Sequence, residues 1–231
     1  MKIRVTFITH STFKIELEDR VLVFDYFKNE LPLEEGKPIY FFTSHSHSDH
    51  YCTKIFDFYE QAEKYILSDD VSSNGFEKFK DKVVIVKPNE QYNIDDMRVE
   101  TLLSTDLGVA YVIELGGKVI FFAGDLNDWY WEMEDNEQQR ITMHEMFTKQ
   151  LDKLRGKKID LAFFLVDPRQ AGQYDLGGKQ VLELEPRYFM PMHFWGNYDI
   201  TKKFKKEHEK VYPNTKIFEI TREYEVFEIN L

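Results

Sequence analysis

Short apolar runs with the character of β-strands recur along the chain, and they constrain the fold more than any other feature of the sequence. The run at 12–18 alternates apolar with polar residues, as a strand with one buried face requires. The run at 39–44 is apolar almost throughout, which predicts a central strand covered on both faces. Gly116 and Gly117, a strong hairpin signal, separate two further runs. A core rich in β-sheet is therefore expected.

Patterns typical of helices fall between these runs. The predicted helices lie at 54–64, from about Ser72, at 137–155, near 178–184 and from Thr201 onward. Each half of the chain opens with strands and ends with strand-helix units, an order that suits two packed sheets with helices outside. The predicted fold class is α/β, a four-layer α/β/β/α sandwich. No linker or low-complexity segment interrupts it, which predicts one domain over 1–231.

The formal charge of −11 restricts the partners that the chain is expected to bind. An acidic excess opposes attraction to phosphate backbones and anionic lipid surfaces. The lysines at 202–210 are interleaved with Glu207 and Glu209, which is typical of a solvated helix face. The sequence therefore argues against a nucleic-acid partner.

The hydrophobic pattern also bears on where the protein works. No apolar run approaches the roughly 18 to 20 residues of a membrane span, and the N-terminus lacks the apolar run of a cleavable signal. The single cysteine, Cys52, has no partner for an internal disulfide, in agreement with a reducing compartment. These features predict a cytoplasmic protein without a membrane association, and they leave a homo-oligomer open.

Four potential metal ligands lie within six residues, directly after the strand predicted at 39–44. Side chains repeat every second residue in a strand, so His45 and His47 can reach one ion. The turn that follows can aim Asp49 and His50 at a second ion. The alternative is a polar strand-to-helix loop in which Asp49 caps the helix. Because three of the chain's seven histidines fall in this segment, the metal site is favoured.

This segment matches the HxHxDH signature of the metallo-β-lactamase superfamily, which the chain resembles over most of its length. By that resemblance, FFAGDLND supplies Asp125 as the carboxylate that bridges two metal ions, and YFMPMHF supplies His193 as a ligand of the second ion. The resemblance implies the sandwich fold, one or two zinc ions and hydrolysis by metal-activated water. Asp49 would orient or deprotonate that water while also binding the second ion.

Within the superfamily, the chain is most similar to the group related to ascorbate-6-phosphate lactonases. The segments ITHSTFKIE, GVAYVIELGGKVIFFAGDLN and the late histidine region occur in the order seen in that group. The early His-Ser pair approaches the metals there, which makes His10 an auxiliary metal contact. A structural role at a strand end remains the alternative for His10.

One element departs from the family pattern. The superfamily normally supplies a third histidine to the first metal, yet no histidine lies between Tyr51 and Asp125. Asp106 is the predicted substitute, because a carboxylate oxygen can bind zinc and would also suit Mn²⁺. Alternatively, Ser104 or Thr105 holds a water there and Asp106 is a plain turn residue.

Two segments are predicted to shape a substrate pocket. Trp129 lies in the aromatic loop 127–131 directly after the GD motif, where it would form an aromatic wall or pack under the next helix. In the loop 167–178, Asp167 and Arg169 would contact the site or the substrate, or form an internal ion pair. The guanidinium of Arg169 suits a phosphate or carboxylate.

Together these features predict a metal-dependent hydrolase of a small, anionic ester, lactone or phosphoester. Two alternatives remain open at this point. One is a phosphodiesterase or nuclease of the same fold, against which the acidic charge balance counts. The other is a non-catalytic metal- or ligand-binding protein that has lost the third histidine.

Overall fold

The computed structural model describes residues 1–33, 36–73, 76–131 and 136–231. The strands within these ranges are β1 (Lys2–Thr9), β2 (Thr12–Glu16), β3 (Val21–Phe24), β4 (Ile39–Thr43), β5 (Ala62–Ser68), β6 (Val83–Val86), β7 (Gln91–Ile94), β8 (Met97–Leu103), β9 (Val109–Leu115), β10 (Lys118–Phe122), β11 (Leu161–Leu165), β12 (Tyr188–Met192), β13 (Lys216–Ile217) and β14 (Glu225–Asn230). The α-helices are α1 (Glu137–Leu151), α2 (Leu176–Leu182) and α3 (Tyr198–His208), and 3-10 helices lie at Thr53–Phe58, Glu77–Phe79, Asp152–Leu154 and Pro168–Gln173.

The strands form two mixed sheets of seven strands each. The first has the order β14-β1-β2-β3-β4-β5-β6, and the second has the order β13-β12-β11-β10-β9-β8-β7. Aromatic rings fill the space between them: Phe24 stacks on Phe122, and Phe13 packs on Phe163, each pair with centroids 4.7 Å apart. Each buried phenylalanine contributes about 1.5–3 kcal/mol of hydrophobic free energy, so this layer fixes how the sheets face each other.

The α-helices cover the outer face of the second sheet. Phe147 of α1 packs on Phe164 of β11 at 6.1 Å, and Phe204 of α3 stacks on Phe189 of β12 at 5.0 Å between ring centroids. The predicted sandwich class is thereby confirmed. None of the helices in the described residues is long and apolar enough to cross a membrane.

The outer face of the first sheet is covered differently from the prediction. The helix predicted at 54–64 is wrong, because only the 3-10 helix at Thr53–Phe58 forms and β5 begins at Ala62. β5 lies between β4 and β6, and its pairing extends back to Ala62 opposite Ile39. This sheet pairing outweighs the local helical pattern. The short helix still buries Ile55 and Phe56 against the sheet.

Other boundaries differ from the sequence prediction in smaller ways. The helix predicted from about Ser72 falls partly on residues 74–75, which lie outside the described residues. The strand predicted at 216–220 is limited to β13, because the backbone N–H of Ile220 donates to Thr201 Oγ1 instead of continuing the sheet. The hairpin strand β7, which the sequence analysis did not predict, pairs with β8 at the edge of the second sheet.

Within each sheet, the strands that lead to predicted ligands run in one direction, and His45 of the first sheet lies 3.8 Å from Asp125 of the second. β3 and β4 are parallel, as are β10, β11 and β12. β1 is related to β3, and β8 to β10, by two antiparallel steps, which gives each pair a common direction. The carboxyl ends of these strands therefore meet at one edge of the sandwich. The polar residues just beyond them are His10, Asp25, His45, Asp106, Asp125, Asp167 and His193.

Gly108 holds the loop after β8 against the HxHxDH segment. Its φ is +69°, and a Cβ there would overlap the carbonyl oxygen of Ser44 and lie 2.7 Å from Cβ of His45. We expect Gly108→Ala to lower the free energy of unfolding by at least about 2 kcal/mol, because backbone strain and a steric clash add together. Denaturant unfolding of the metal-free protein measures this loss.

Gly117 provides the matched control for Gly108→Ala. Its φ is +71°, but among the described residues no heavy atom beyond its two chain neighbours lies within 4 Å of where its Cβ would stand. Gly117→Ala should therefore lose only the backbone contribution of about 1–2 kcal/mol. Equal losses in the two variants would show that the contact between Gly108 and Ser44 does not matter.

Candidate metal centre

Eight side chains meet at the carboxyl edge of the two sheets, and they fall into two sets. In each set the ligand atoms all lie within 4.8 Å of one another. The inner set consists of His10, Asp49, His50 and His193. The outer set consists of His45, His47, Asp106 and Asp125. Every metal ligand predicted from the sequence therefore lies in one of the two sets.

Asp125 lies between the two sets. Its Oδ1 is 3.2 Å from His50 Nε2 and 3.4 Å from His193 Nε2, both of the inner set. Its Oδ2 is 3.8 Å from His45 Nε2 of the outer set. One carboxylate thus presents one oxygen to each set, as a group that bridges two ions must.

Several buried polar atoms at this centre make no hydrogen bond. Leaving such an atom unsatisfied costs about 1–3 kcal/mol, so a cluster of them indicates a missing partner. Imidazole nitrogens beside carboxylate oxygens are the donors that zinc and similar divalent cations prefer. The residues present therefore fit a metal centre. The unpaired atoms are Nε2 of His10, His45, His50 and His193, and Oδ1 of Asp125.

Asp25, which the sequence analysis missed, orients two of these imidazoles. It is fully buried, and its Oδ2 lies 2.7 Å from His50 Nδ1. The same carboxylate accepts bonds from the backbone N–H and the hydroxyl of Ser44, and that hydroxyl lies 2.9 Å from His45 Nδ1. With Nδ1 engaged in this way, Nε2 of each ring points toward the centre. The only sequence signal was an aspartate directly after the apolar run of β3.

Asp167 has the corresponding role for the last histidine. Its fully buried carboxylate lies 3.0 Å from His193 Nδ1, and it accepts bonds from Nε and Nη2 of Arg169. The structure thus places Asp167 behind a ligand and not directly in the pocket. The predicted Asp167–Arg169 ion pair is present, and it is tied to the centre through His193.

Burial and neighbouring charges set the protonation of the centre. Burial lowers the pKa of His10 to about 4, so its ring is neutral near neutral pH. Burial opposes ionisation of Asp125, but the neighbouring His193 and His50 outweigh it and hold the pKa well below its usual range. The proximity of His10 likewise lowers the pKa of Asp49. Burial opposes protonation of His193 and His50, but Asp125 outweighs it and raises the pKa of His193 to about 9 and that of His50 above its usual range. Because neutral imidazole is the form that binds metals, metal binding should release protons from these two rings.

The segment after β8 bears on the missing histidine. Asp106 Oδ2 lies 3.4 Å from His47 Nδ1, within the outer set. Both hydroxyls that were alternatives to Asp106 bond to backbone groups: Thr105 Oγ1 donates to the carbonyl and accepts from the N–H of Asn127, and Ser104 Oγ accepts from the N–H of Asp106. The geometry therefore favours Asp106 over a water held by Ser104 or Thr105, and its role as a ligand stays a prediction.

A cavity of about 300 Å³ opens over the two sets. Trp129 and Trp131 stack in its wall with ring centroids 5.5 Å apart, and Trp129 Nε1 donates to the backbone oxygen of Asp125. The guanidinium of Arg169 lies 4.6 Å from the ring centroid of Trp195 and 5.5 Å from that of Trp131. The aromatic-wall prediction for Trp129 thus agrees with its position. Trp195 was missed, although it follows His193 by two residues.

The backbone around the centre is held in an uncommon conformation. His10, Asp25, His193 and Trp195 have φ between +44° and +60°. This left-handed region costs non-glycine residues roughly 1–3 kcal/mol each and is found most often at functional sites. The surrounding sheet ends pack tightly enough to maintain it. These four residues are among the ten non-glycine residues with positive φ in the described part of the chain.

Comparison with known proteins agrees with this architecture. A family model described as a beta-lactamase superfamily domain matches residues 4–193. A search of curated proteins gave no match.

Solved structures of similar fold cover nearly the whole chain. Igni18, described as a novel metallo hydrolase from the archaeon Ignicoccus hospitalis, superposes with a TM-score of 0.65 at 15% identity and 100% coverage of both chains. The metallo-beta-lactamase fold protein YhfI from Bacillus subtilis gives 0.61 at 15% identity, covering 99% of this chain and 100% of YhfI. CmlA, a diiron beta-hydroxylase from Streptomyces venezuelae, gives 0.64 at 12% identity, covering 99% of this chain and 54% of CmlA. These likenesses establish the fold.

Proposed function

This chain belongs to the beta-lactamase superfamily, whose domain model spans residues 4–193, and we propose that it is a metal-dependent hydrolase of a small, anionic ester, lactone or phosphoester. The observation that carries the proposal is a group of four buried imidazole Nε2 atoms without hydrogen bonds, three of which lie 3.2–3.8 Å from a carboxylate oxygen of Asp125. A divalent cation held by such donors lowers the pKa of water from 15.7 toward about 7 and polarises the bond to be cleaved.

The residues of the two sets supply the remaining parts of the reaction. Asp49 is half-buried at the floor of the cavity, and its Oδ2 is 3.4 Å from His10 Nε2. Because its pKa is held low, it is ionised and can accept a hydrogen bond from the attacking water, which it orients or deprotonates. Asp25 and Asp167 keep the imidazoles aligned.

The cavity supports a small anionic substrate over a polymer. Among the described residues that line it, Arg169 supplies a guanidinium, and the tryptophan rings beside Arg169 provide flat apolar surface. A volume of about 300 Å³ suits a metabolite-sized molecule. The net charge of −11 counts against a nuclease. Lactones are included among the proposed substrates because the sequence resembles the ascorbate-6-phosphate lactonase group.

Metal removal tests the proposal directly. Protein stripped with a chelator should lose turnover of a panel of nitrophenyl esters, phosphomonoesters, phosphodiesters and simple lactones, and added Zn²⁺ or Mn²⁺ should restore it. Asp49→Asn should lower kcat by about 10²-fold or more, because general-base catalysis contributes that much. Turnover that survives metal removal would contradict the proposal. Metal binding without turnover of any substrate would favour the non-catalytic alternative.

Arg169→Gln should raise KM for an anionic substrate with a smaller effect on a neutral ester. A hydrogen bond to a charged group contributes about 1.5–3 kcal/mol, which corresponds to roughly a 10- to 100-fold change. Arg187→Gln is the matched control. Like Arg169, Arg187 lies over an aromatic ring, that of Tyr188, but it directly precedes β12 and does not line the cavity. Equal KM values for the wild type and Arg169→Gln with every anionic substrate would remove Arg169 from substrate binding.

A further inference from the structure

We propose that the two ligand sets take different cations: the inner set retains a zinc-type ion, whereas the outer set binds an exchangeable, oxygen-preferring ion such as Mn²⁺ whose supply controls turnover. This inference rests on the proposed function, since it concerns the same centre. The two sets differ in donor chemistry, in exposure and in the support behind their ligands, and each difference points in the same direction.

The donor atoms of the inner set are mostly nitrogens. It offers three imidazoles, from His10, His50 and His193, and one carboxylate of its own, from Asp49. Oδ1 of Asp125 faces the same space. A nitrogen-rich set of this kind suits zinc, which binds imidazole at about 2.0–2.1 Å and tolerates four or five ligands.

The outer set contains as many carboxylates as imidazoles. Asp106 and Asp125 stand beside His45 and His47, so half of its side chains donate oxygen. Carboxylate oxygens suit harder cations such as Mn²⁺, whereas imidazole nitrogens suit zinc. Replacing an imidazole by a carboxylate therefore shifts the preference of a site toward Mn²⁺. A histidine in place of Asp106 would move the outer set toward the nitrogen-rich chemistry of the inner one.

Exposure separates the two sets further. The side chains of His47 and Asp106 are 48% and 42% exposed, whereas those of His50 and His193 are at most 1% exposed. An ion at the outer set is therefore open to water and to competing ligands. The other two outer ligands, His45 and Asp125, are buried, and the most exposed ligand of the inner set is Asp49, at 30%.

The support behind the ligands differs in the same way. Buried carboxylates, Asp25 and Asp167, hold the Nδ1 atoms of the inner ligands His50 and His193. Losing such a partner typically lowers metal affinity 10- to 100-fold. In the outer set, His45 Nδ1 meets the Ser44 hydroxyl, which donates to Asp25, whereas the exposed His47 faces Asp106, a member of its own set. We therefore expect the outer set to bind its ion about 10- to 100-fold more weakly.

The experiment combines elemental analysis with Mn²⁺ electron paramagnetic resonance on the full chain. Stripped protein receives two equivalents of Zn²⁺, is desalted, and is then titrated with Mn²⁺. The wild type should keep about one zinc through desalting and then bind about one Mn²⁺, with turnover rising along the Mn²⁺ titration. The retained zinc and the resonance signal are read out independently of activity.

Substitutions at Asp106 make the test specific. Asp106→His should retain two zinc ions and bind Mn²⁺ at least 10-fold more weakly than the wild type. Asp106→Asn should keep the first zinc but lose the Mn²⁺ signal. Asp96→Asn is the control for non-specific Mn²⁺ binding by this acidic chain, because it removes the same charge as Asp106→Asn. Asp96 directly precedes β8, whereas Asp106 follows the opposite end of that strand. If Asp106→His does not fold, the test is the comparison of the Mn²⁺ signal of Asp106→Asn with that of Asp96→Asn.

The outcomes separate the inference from the proposed function. If the wild type retains two zinc ions with equal affinity and Asp106→Asn binds Mn²⁺ as the wild type does, the inference is overturned while a metal-dependent hydrolase stands. If the protein binds neither ion and turnover is independent of metal, the proposed function itself fails.

Discussion

Asp25→Ala should cost the protein both folded stability and metal. Asp25 is fully buried and accepts from Ser44 N, from Ser44 Oγ and from His50, each at 2.7 Å. Removing one partner of a buried polar network leaves the others unpaired, which costs about 3–5 kcal/mol. Since His50 and His45 then lose the group that orients them, metal affinity should fall at least 10- to 100-fold. Denaturant unfolding and isothermal titration with Zn²⁺ measure the two losses separately.

Asp160→Ala distinguishes the role of Asp25 from that of any buried carboxylate. Asp160 is also buried, and its carboxylate accepts hydrogen bonds from Val119 N at 3.0 Å and from Lys118 at 3.1 Å. It directly precedes β11, so it lies at the end of that strand opposite the metal centre. Asp160→Ala should therefore lose stability but keep its metal affinity. Wild-type metal affinity in Asp25→Ala would contradict the orienting role.

Asp125→Asn should nearly abolish turnover while the chain still folds. The amide has almost the shape of the carboxylate, but it lacks the charge and the second oxygen that face the two ligand sets. Since loss of a partner behind a ligand already costs 10- to 100-fold, loss of the bridging group should lower kcat/KM by at least about 10²-fold. In the presence of excess Zn²⁺, metal content should fall from two equivalents toward one or fewer. Steady-state kinetics and elemental analysis of the same preparation check both results.

Asp128→Asn is the companion control, because Asp128 lies three residues further along the same loop. It is buried and bonds to His144 at 2.6 Å and to Gln180 at 2.7 Å, away from the ligands. This variant should keep two metal equivalents and turnover near that of the wild type. Asp125→Asn that behaved like Asp128→Asn would remove Asp125 from the metal centre.

The ligand positions could be predicted because local motifs carry them. In the HxHxDH segment, four ligand types fall within six residues after a recognisable strand, and Asp125 and His193 each end a strand of their own. Strand direction then brings them to one edge. Asp106 could be anticipated only by elimination, and its position 3.4 Å from His47 is information that the structure adds.

Other features depend on contacts between distant parts of the chain. The hydrogen bond that Asp25 accepts from His50 Nδ1 joins residues 25 positions apart, across the parallel pairing of β3 and β4. No spacing rule in the sequence encodes that pairing. Similarly, the predicted helix at 54–64 failed because pairing with β4 and β6 extended β5 back to Ala62. Tertiary pairing decided both cases.

The most direct test of the account is an anomalous-scattering map from crystals of the wild-type protein grown with Zn²⁺ in excess. The account predicts two peaks about 3.5–4 Å apart, one on either side of the Asp125 carboxylate, the first beside His50 and His193 and the second beside His45 and Asp106. An anomalous map with no peak among these residues would contradict it.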